Sequence, residues 1–175
     1  MDSADSIRLA CERTASALTA RPGIGQKTFV TKVRVHDGLT CAIEEGPWHL
    51  TADLPRQLGG QAAGPTPGTF GRAALGSCLA MGYVLWAAKL GVPLADVAVE
   101  VHADADTRGL LGIDGVPAGY ASVRYVVSVT SAAPREAIMR VLDTAEAHSP
   151  YVDVFRCPHE LQRTVRIITP EEEMP

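Results

Sequence analysis

The sequence predicts an α+β fold in which small sheets cover one long apolar helix, and three observations carry that expectation. Residues 73–88 contain no charge and sit between a helix start signal and a helix stop signal. Segments whose apolar residues alternate with polar ones lie on both sides of that stretch. Towards each end of the chain, apolar residues recur at helical spacing instead. The resulting order, α-βββ-α-ββ-α-β, arranges sheets around a central helix.

In chain order, Ile7, Ala10, Cys11, Ala15 and Leu18 come first at roughly helical intervals, before Arg21-Pro22-Gly23 ends the pattern. Cys11 on that apolar side reads as a packing residue. From Thr28 the period becomes two, with Phe29, Thr31, Val33 and Val35 on one face and Val30, Lys32, Arg34 and His36 on the other. Asp37-Gly38 suits a tight hairpin turn. Leu39, Cys41 and Ile43 then alternate with polar neighbours, and Trp48, Leu50 and Ala52 do so again after Gly46-Pro47, which completes a meander.

Residues 54–65, rich in Gly, Pro and Gln, form the loop into the central helix. Thr66 caps that helix, Pro67 opens it, and Gly91 followed by Val92-Pro93 stops it after about seven turns. Its uncharged run falls short of the ~20 residues needed to cross a bilayer, so we expect a helix enclosed by protein. Ala74, Cys78 and Gly82 make a small-residue seam along it, with Leu75, Met81 and Leu85 beside them. Something packs closely there, and the thiol faces it.

Val97, Val99, Val101 and Ala103 give a fourth strand, and Val123, Tyr125, Val127 and Val129 a fifth. The loop between them, residues 105–119, is long for a connector and suits the lining of a site or an interface. Pro134 starts an amphipathic helix carrying Ile138, Val141, Leu142 and Ala145, and Ser149-Pro150 caps a short further turn. Leu161, Val165 and Ile167 suggest a last strand before the acidic tail of Glu171, Glu172 and Glu173, expected to be disordered. We divide the chain into an N-terminal helical extension (residues 1–24), one domain (25–169) and that tail (170–175). One small sheet covers only one side of a helix apolar all round, so a second copy is expected to cover the other, as a homodimer.

The chain has 175 residues, 46% of them hydrophobic, enough for one sizeable core. A net charge of -4 without a basic run argues against nucleic acid and against an anionic membrane surface as partners. The N-terminus has acidic residues and no apolar core region, so neither a signal peptide nor an anchor is expected, and the cytoplasm is the expected compartment. The four cysteines, Cys11, Cys41, Cys78 and Cys157, lie far apart with no Cys-x-x-Cys pair, so reduced thiols are the default.

Three runs, GPTPGTFGRAALGSCLAMGYVLWAAKLGVPLADVAVEV, DADTRGLLGIDG and AEAHSPYVDVF, resemble the OsmC/Ohr family of osmotically inducible and organic-hydroperoxide-resistance proteins. The likeness spans roughly residues 29–168 and is most specific at residues 74–80, Ala-Leu-Gly-Ser-Cys-Leu-Ala. It implies an intertwined homodimer with cysteine-bearing helices between the sheets and two sites at the subunit interface. It also implies reduction of organic hydroperoxides. In that chemistry a thiolate is oxidised to a sulfenic acid, a second cysteine resolves it as a disulfide, and a dithiol such as dihydrolipoamide restores the pair.

Carried over residue by residue, the resemblance makes Cys78 the peroxidatic cysteine. The resolving cysteine of the family's His-Cys-Pro is replaced in His148-Ser149-Pro150, so Ser149 marks a missing sulfur. The family's glutamate after Asn-Pro corresponds to Gly68 in Thr66-Pro67-Gly68. The hairpin arginine falls at or near His36, with Arg34 two residues earlier on the same strand face, so Arg34 and His36 are the candidate thiolate-activating cations. Leu75, Met81, Gly82 and Leu85 are the candidate pocket residues. A cation matters because burial disfavours a thiolate and mid-helix position gains little from the dipole.

Cys157-Pro158-His159, near His148, holds metal-ligand types without a second pair at ligand spacing, so no metal is expected. Cys157 reads as a residue packed at a strand start, with a displaced resolving thiol as the alternative. His49 and His102 lie on polar strand faces and read as solvated, and Ser149 has a full account as a helix cap. Two functions therefore stand: a hydroperoxide reductase with one cysteine, needing no cofactor beyond an external thiol or dithiol, or a non-catalytic dimer binding a small lipophilic ligand in its interfacial pocket.

Overall fold

The computed structural model describes residues 4–113 and 115–168. Its elements are α1 (Ala4–Ala20), β1 (Lys32–Asp37), β2 (Thr40–Glu45), β3 (Trp48–Ala52), α2 (Pro67–Leu90), β4 (Asp96–Ala105), α3 (Thr107–Leu110), β5 (Tyr120–Thr130), α4 (Arg135–Ala147) and α5 (Pro150–Arg156). The class is α+β, as expected.

The local signals act where the sequence placed them. Thr66 Oγ1 accepts a hydrogen bond from the Thr69 N–H, Pro67 takes the first helical position, and Gly91 closes α2 at φ +67°, a conformation open to glycine. β1, β2 and β3 pair antiparallel in sequence order, while β4 and β5 form a separate antiparallel pair with Val99 opposite Val127 and Val101 opposite Tyr125. The inward residues of that pair meet Leu75, Leu79 and Tyr83 of α2 in the main core, where Ala145 of α4 and Val152 of α5 join them. A second small cluster, Ala87, Val92 and Val141, closes the far end of α2 against α4. Burying a side chain such as Leu79 contributes about 1.5–3 kcal/mol, so the α2 stripe is a main source of stability.

The meander is tied to the loop that follows it through Asp53, a buried carboxylate. Its oxygens accept hydrogen bonds from the backbone N–H groups of Leu54, Gln61 and Ala63 and from the Thr40 hydroxyl. Those donors, the Ala63 N–H foremost, hold the Asp53 carboxyl below the usual carboxylate range. The loop is thereby fixed, and it delivers the chain to the cap of α2.

Helix α2 is covered by its own chain on one side only, as expected of a helix packed under one small sheet: Leu75, Leu79, Tyr83, Ala87 and Ala88 are buried, whereas Met81, Val84, Leu85 and Leu90 are exposed. A two-stranded sheet with α4 and α5 is wide enough to bury one stripe of a helix and no more. Helix α2 is long and apolar enough to cross a membrane by length and composition only, but its buried stripe belongs to the protein core. The strand expected at Leu161, Val165 and Ile167 does not form, and Leu161 is 93% exposed. Alternating side chains do not make a strand without a sheet edge to pair with, and this segment pairs with neither sheet. The acidic tail at Glu171, Glu172 and Glu173 lies outside the described residues.

Candidate functional site

Cys78 sits midway along α2, one helical turn from Ala74 and one from Gly82. Helix α4 passes close to Gly82, where a Cβ would make an ordinary contact with the Ala145 Cβ at 3.9 Å. Beside this contact lies an open cleft of about 580 Å³. Helix α2 lines it with Cys78, Met81, Gly82, Leu85 and Trp86, and the facing wall brings Ala145, His148, Ser149 and Tyr151. Leu75, expected in the pocket, instead turns into the core and is 2% exposed, because it lies on the α2 stripe that meets β4 and β5.

Ser149 comes to Cys78 from 71 residues away in sequence, its Oγ standing 3.3 Å from Sγ. It is also the cap of α5, accepting the Val152 N–H at 3.3 Å. The cap fixes the hydroxyl, and the fixed hydroxyl meets the thiol. Just before it, the Nδ1 of His148 lies 2.8 Å from the Thr144 carbonyl, which leaves Nδ1 as the protonated nitrogen. The imidazole rests on Trp86 with ring centroids 4.7 Å apart, and the Lys89 ammonium stands 3.5 Å from the Trp86 centroid. The end of α4 is anchored from below, where Glu146 accepts hydrogen bonds from the Tyr83 and Tyr125 hydroxyls at 2.9 Å each. Burial, and then the Glu146 carboxylate, push both phenols upward, so both stay protonated donors.

The other expected site residues are not gathered at the cleft by this chain. Arg34 and His36 lie on β1, which is exposed along its length, and neither side chain makes a hydrogen bond or ion pair among the described residues. At Gly68, Tyr120 donates its hydroxyl to the carbonyl at 3.2 Å while Arg72 donates to the Tyr120 oxygen at 3.2 Å. A Cβ at Gly68 would stand 3.2 Å from Arg72 Nη1 and 3.3 Å from the Tyr120 oxygen, so a larger residue would displace this chain of contacts. Cys157 is exposed, does not line the cleft, and is held protonated by the adjacent Asp153 carboxylate. Among the described residues no group of three or more His, Cys, Asp or Glu side chains is placed to hold a metal ion.

Several cleft residues were missed from sequence, Trp86, His148 and Tyr151 among them. Trp86 lies two helical turns beyond Cys78, so the spacing that selected Met81 and Leu85 also pointed to it. His148 was noted as a metal-ligand type and as the histidine of His148-Ser149-Pro150; its place beside Trp86 depends on how α4 packs on α2, which periodicity does not encode.

The arrangement sets a thiol at the wall of an apolar cleft, with a hydroxyl in contact and an imidazole nearby. The sequence model of the family described as OsmC-like protein matches residues 59–162. Among solved structures, the OsmC-like protein from Mycoplasma pneumoniae superposes with a TM-score of 0.64 at 15% identity, covering 75% of this chain and 89% of that one. An organic hydroperoxide resistance protein OsmC from Legionella pneumophila gives 0.55 at 18% identity, over 74% of this chain and 90% of that one. An OsmC-like protein of unknown function from Vibrio cholerae gives 0.57 at 12% identity, over 74% and 94%. No curated protein matches the chain.

Proposed function

This chain belongs to the OsmC-like protein family, and on that premise we propose that it is a thiol-dependent reductase of organic hydroperoxides that works as a homodimer with one cysteine, Cys78. The observation that carries the proposal is the position of the Cys78 sulfur, 3.3 Å from the Ser149 hydroxyl in an open, largely apolar cleft of about 580 Å³. Such a cleft takes an alkyl or aryl group better than water, which favours an organic hydroperoxide. The named hydroperoxide-resistance protein with the same fold supports the choice.

In the proposed reaction the Cys78 thiolate attacks the terminal peroxide oxygen. The O–O bond breaks, a proton goes to the leaving alkoxide to give the alcohol, and sulfur becomes a sulfenic acid. With a hydroxyl at Ser149 in place of a thiol, resolution falls to an external thiol, which forms a mixed disulfide and releases water. A second thiol then frees Cys78 and leaves as the disulfide. A reducing cytoplasm supplies such thiols. The exposed face of α2 and the exposed meander are the surfaces a second copy would cover, and Arg34 or His36 would reach the thiol only in that assembly.

A second reading is favoured by one observation: the chain alone brings neither Arg34 nor His36 to the cleft, which leaves a thiol in an apolar pocket suited to a lipophilic ligand. One equivalent of cumene hydroperoxide, followed by peptide-resolved mass analysis with a sulfenate trap, separates the two. The reductase reading predicts one added oxygen on Cys78 before any other cysteine. An unchanged Cys78 leaves the ligand-binding reading.

A further inference from the structure

We propose that the Ser149 hydroxyl donates its proton to the Cys78 sulfur and stabilises the thiolate, so that the residue in the resolving position serves as an activating catalytic residue. The proposal rests on the reading of Cys78 as the reactive thiol.

A hydroxyl has one proton to give and two lone pairs to receive. One lone pair of Ser149 Oγ is taken by the Val152 N–H at 3.3 Å. Its proton needs an acceptor, and among the described residues the remaining atom hydrogen-bonded to Oγ is the Cys78 sulfur, also at 3.3 Å. A thiol is a weak donor and a thiolate a strong acceptor, so the O–H···S bond is stronger to the charged form and favours it.

The hydroxyl is also held in place. Ser149 is 7% exposed, its N–H donates to the Glu146 carbonyl at 3.2 Å, and its own carbonyl accepts the Asp153 N–H at 3.1 Å. Glu146 is in turn fixed by the Tyr83 and Tyr125 phenols. A donor positioned before the reaction costs little reorganisation when charge gathers on sulfur.

Among the described residues lining the cleft there is no Lys, Arg, Asp or Glu. The titratable groups that share it with Cys78 are His148, whose Nδ1–H is turned to the Thr144 carbonyl, and Tyr151; Lys89 stands against the Trp86 ring. The Glu146 carboxylate is turned to the two phenols. A hydroxyl is therefore the direct stabiliser of the sulfur that this chain provides. Exchanging a thiol for a hydroxyl at this position gives up resolution and keeps a donor.

The test is the rate of peptide-resolved iodoacetamide alkylation of Cys78 across pH, in the wild type and in Ser149→Ala, Ser149→Thr and Ser149→Asp, with thermal melting to confirm folding. Ser149→Ala should slow alkylation at neutral pH about tenfold, and shift the rate profile to higher pH, as expected for a lost hydrogen bond to a charged group. Ser149→Thr keeps the hydroxyl and should stay within about threefold of the wild type. Ser149→Asp keeps an acceptor for the Val152 N–H but has no proton to give when ionised, and adds a negative charge beside sulfur, so it should be slower than Ser149→Ala. Should Ser149→Ala unfold for want of its cap, Ser149→Gly, a residue well tolerated at helix caps, removes the hydroxyl without adding charge and carries the comparison. A reactive wild-type Cys78 that keeps its rate in the folded variants overturns the role of Ser149 and leaves the reductase reading intact. A wild-type Cys78 no faster than free cysteine overturns both.

Discussion

Cys78→Ser is expected to abolish the thiol-driven consumption of organic hydroperoxide, with a fall of at least about a thousandfold. A serine hydroxyl at neutral pH is a far poorer nucleophile than a thiolate, and loss of a covalent nucleophile is among the costliest single changes an active site can suffer. The other cysteines provide the internal control. Cys157 is exposed and held protonated by Asp153, while Cys11 lies on α1 and Cys41 on β2, all outside the cleft. Replacing each of them with serine should leave the rate within about twofold, since none reaches the reacting atoms. Hydroperoxide consumption by coupled thiol oxidation reads the effect directly, and a substantial rate surviving in Cys78→Ser would remove the cysteine from the mechanism.

The second large effect is a gain of function. Ser149→Cys puts a second sulfur where the Oγ now lies 3.3 Å from Sγ. Closing to the ~2.05 Å of a disulfide then needs a modest rotation of both side chains. The sulfenate formed on Cys78 should be captured by the new thiol, with loss of water, faster than excess peroxide carries it to the sulfinic acid. Non-reducing peptide mapping should show a link between residues 78 and 149 after brief peroxide treatment, and little sulfinic acid. The wild type under the same excess should show the reverse, sulfinic acid on Cys78 and no such link. Overoxidation of both proteins to the same extent would mean that the two positions do not meet in solution.

The parts of this molecule that were legible in the sequence are those set by neighbours along the chain. Thr66, Pro67 and Gly91 fix the ends of α2 through groups within a few residues of one another, and their chemistry is local. The same holds for Ser149 as the cap of α5, and for the meander, whose turns at Asp37-Gly38 and Gly46-Pro47 set its pairing. Sequence also put Cys78, Met81, Gly82 and Leu85 on one side of a helix, and the structure gathers them at one cleft.

What was not legible depends on distant partners. The contact between Ser149 and Cys78 follows from α4 crossing α2 at Gly82 and Ala145, a packing choice that no period in the sequence states. Leu75 was misplaced because the seam and the core stripe are adjacent on α2, and only the position of β4 and β5 decides which residue belongs to which. The segment with Leu161, Val165 and Ile167 carries strand alternation without a strand, since alternation is local while a strand needs a paired neighbour and this segment joins neither sheet. The apolar residues left exposed on α2 belong with that observation, because both describe surface that this chain leaves uncovered.

The cleft is expected to make Cys78 a fast thiol towards organic peroxides. The most direct test is the second-order rate of its oxidation under single-turnover conditions, with cumene hydroperoxide and with hydrogen peroxide, against free cysteine at the same pH. Trp86 lines the cleft with Cys78 and provides a fluorescence signal for it, with Trp48, the first residue of β3 and outside the cleft, replaced by phenylalanine. We expect Cys78 to react faster than free cysteine with both oxidants, and faster with cumene hydroperoxide than with hydrogen peroxide, because only the former has an apolar group for the cleft to hold. A Cys78 that reacts no faster than free cysteine with either oxidant would contradict the claim.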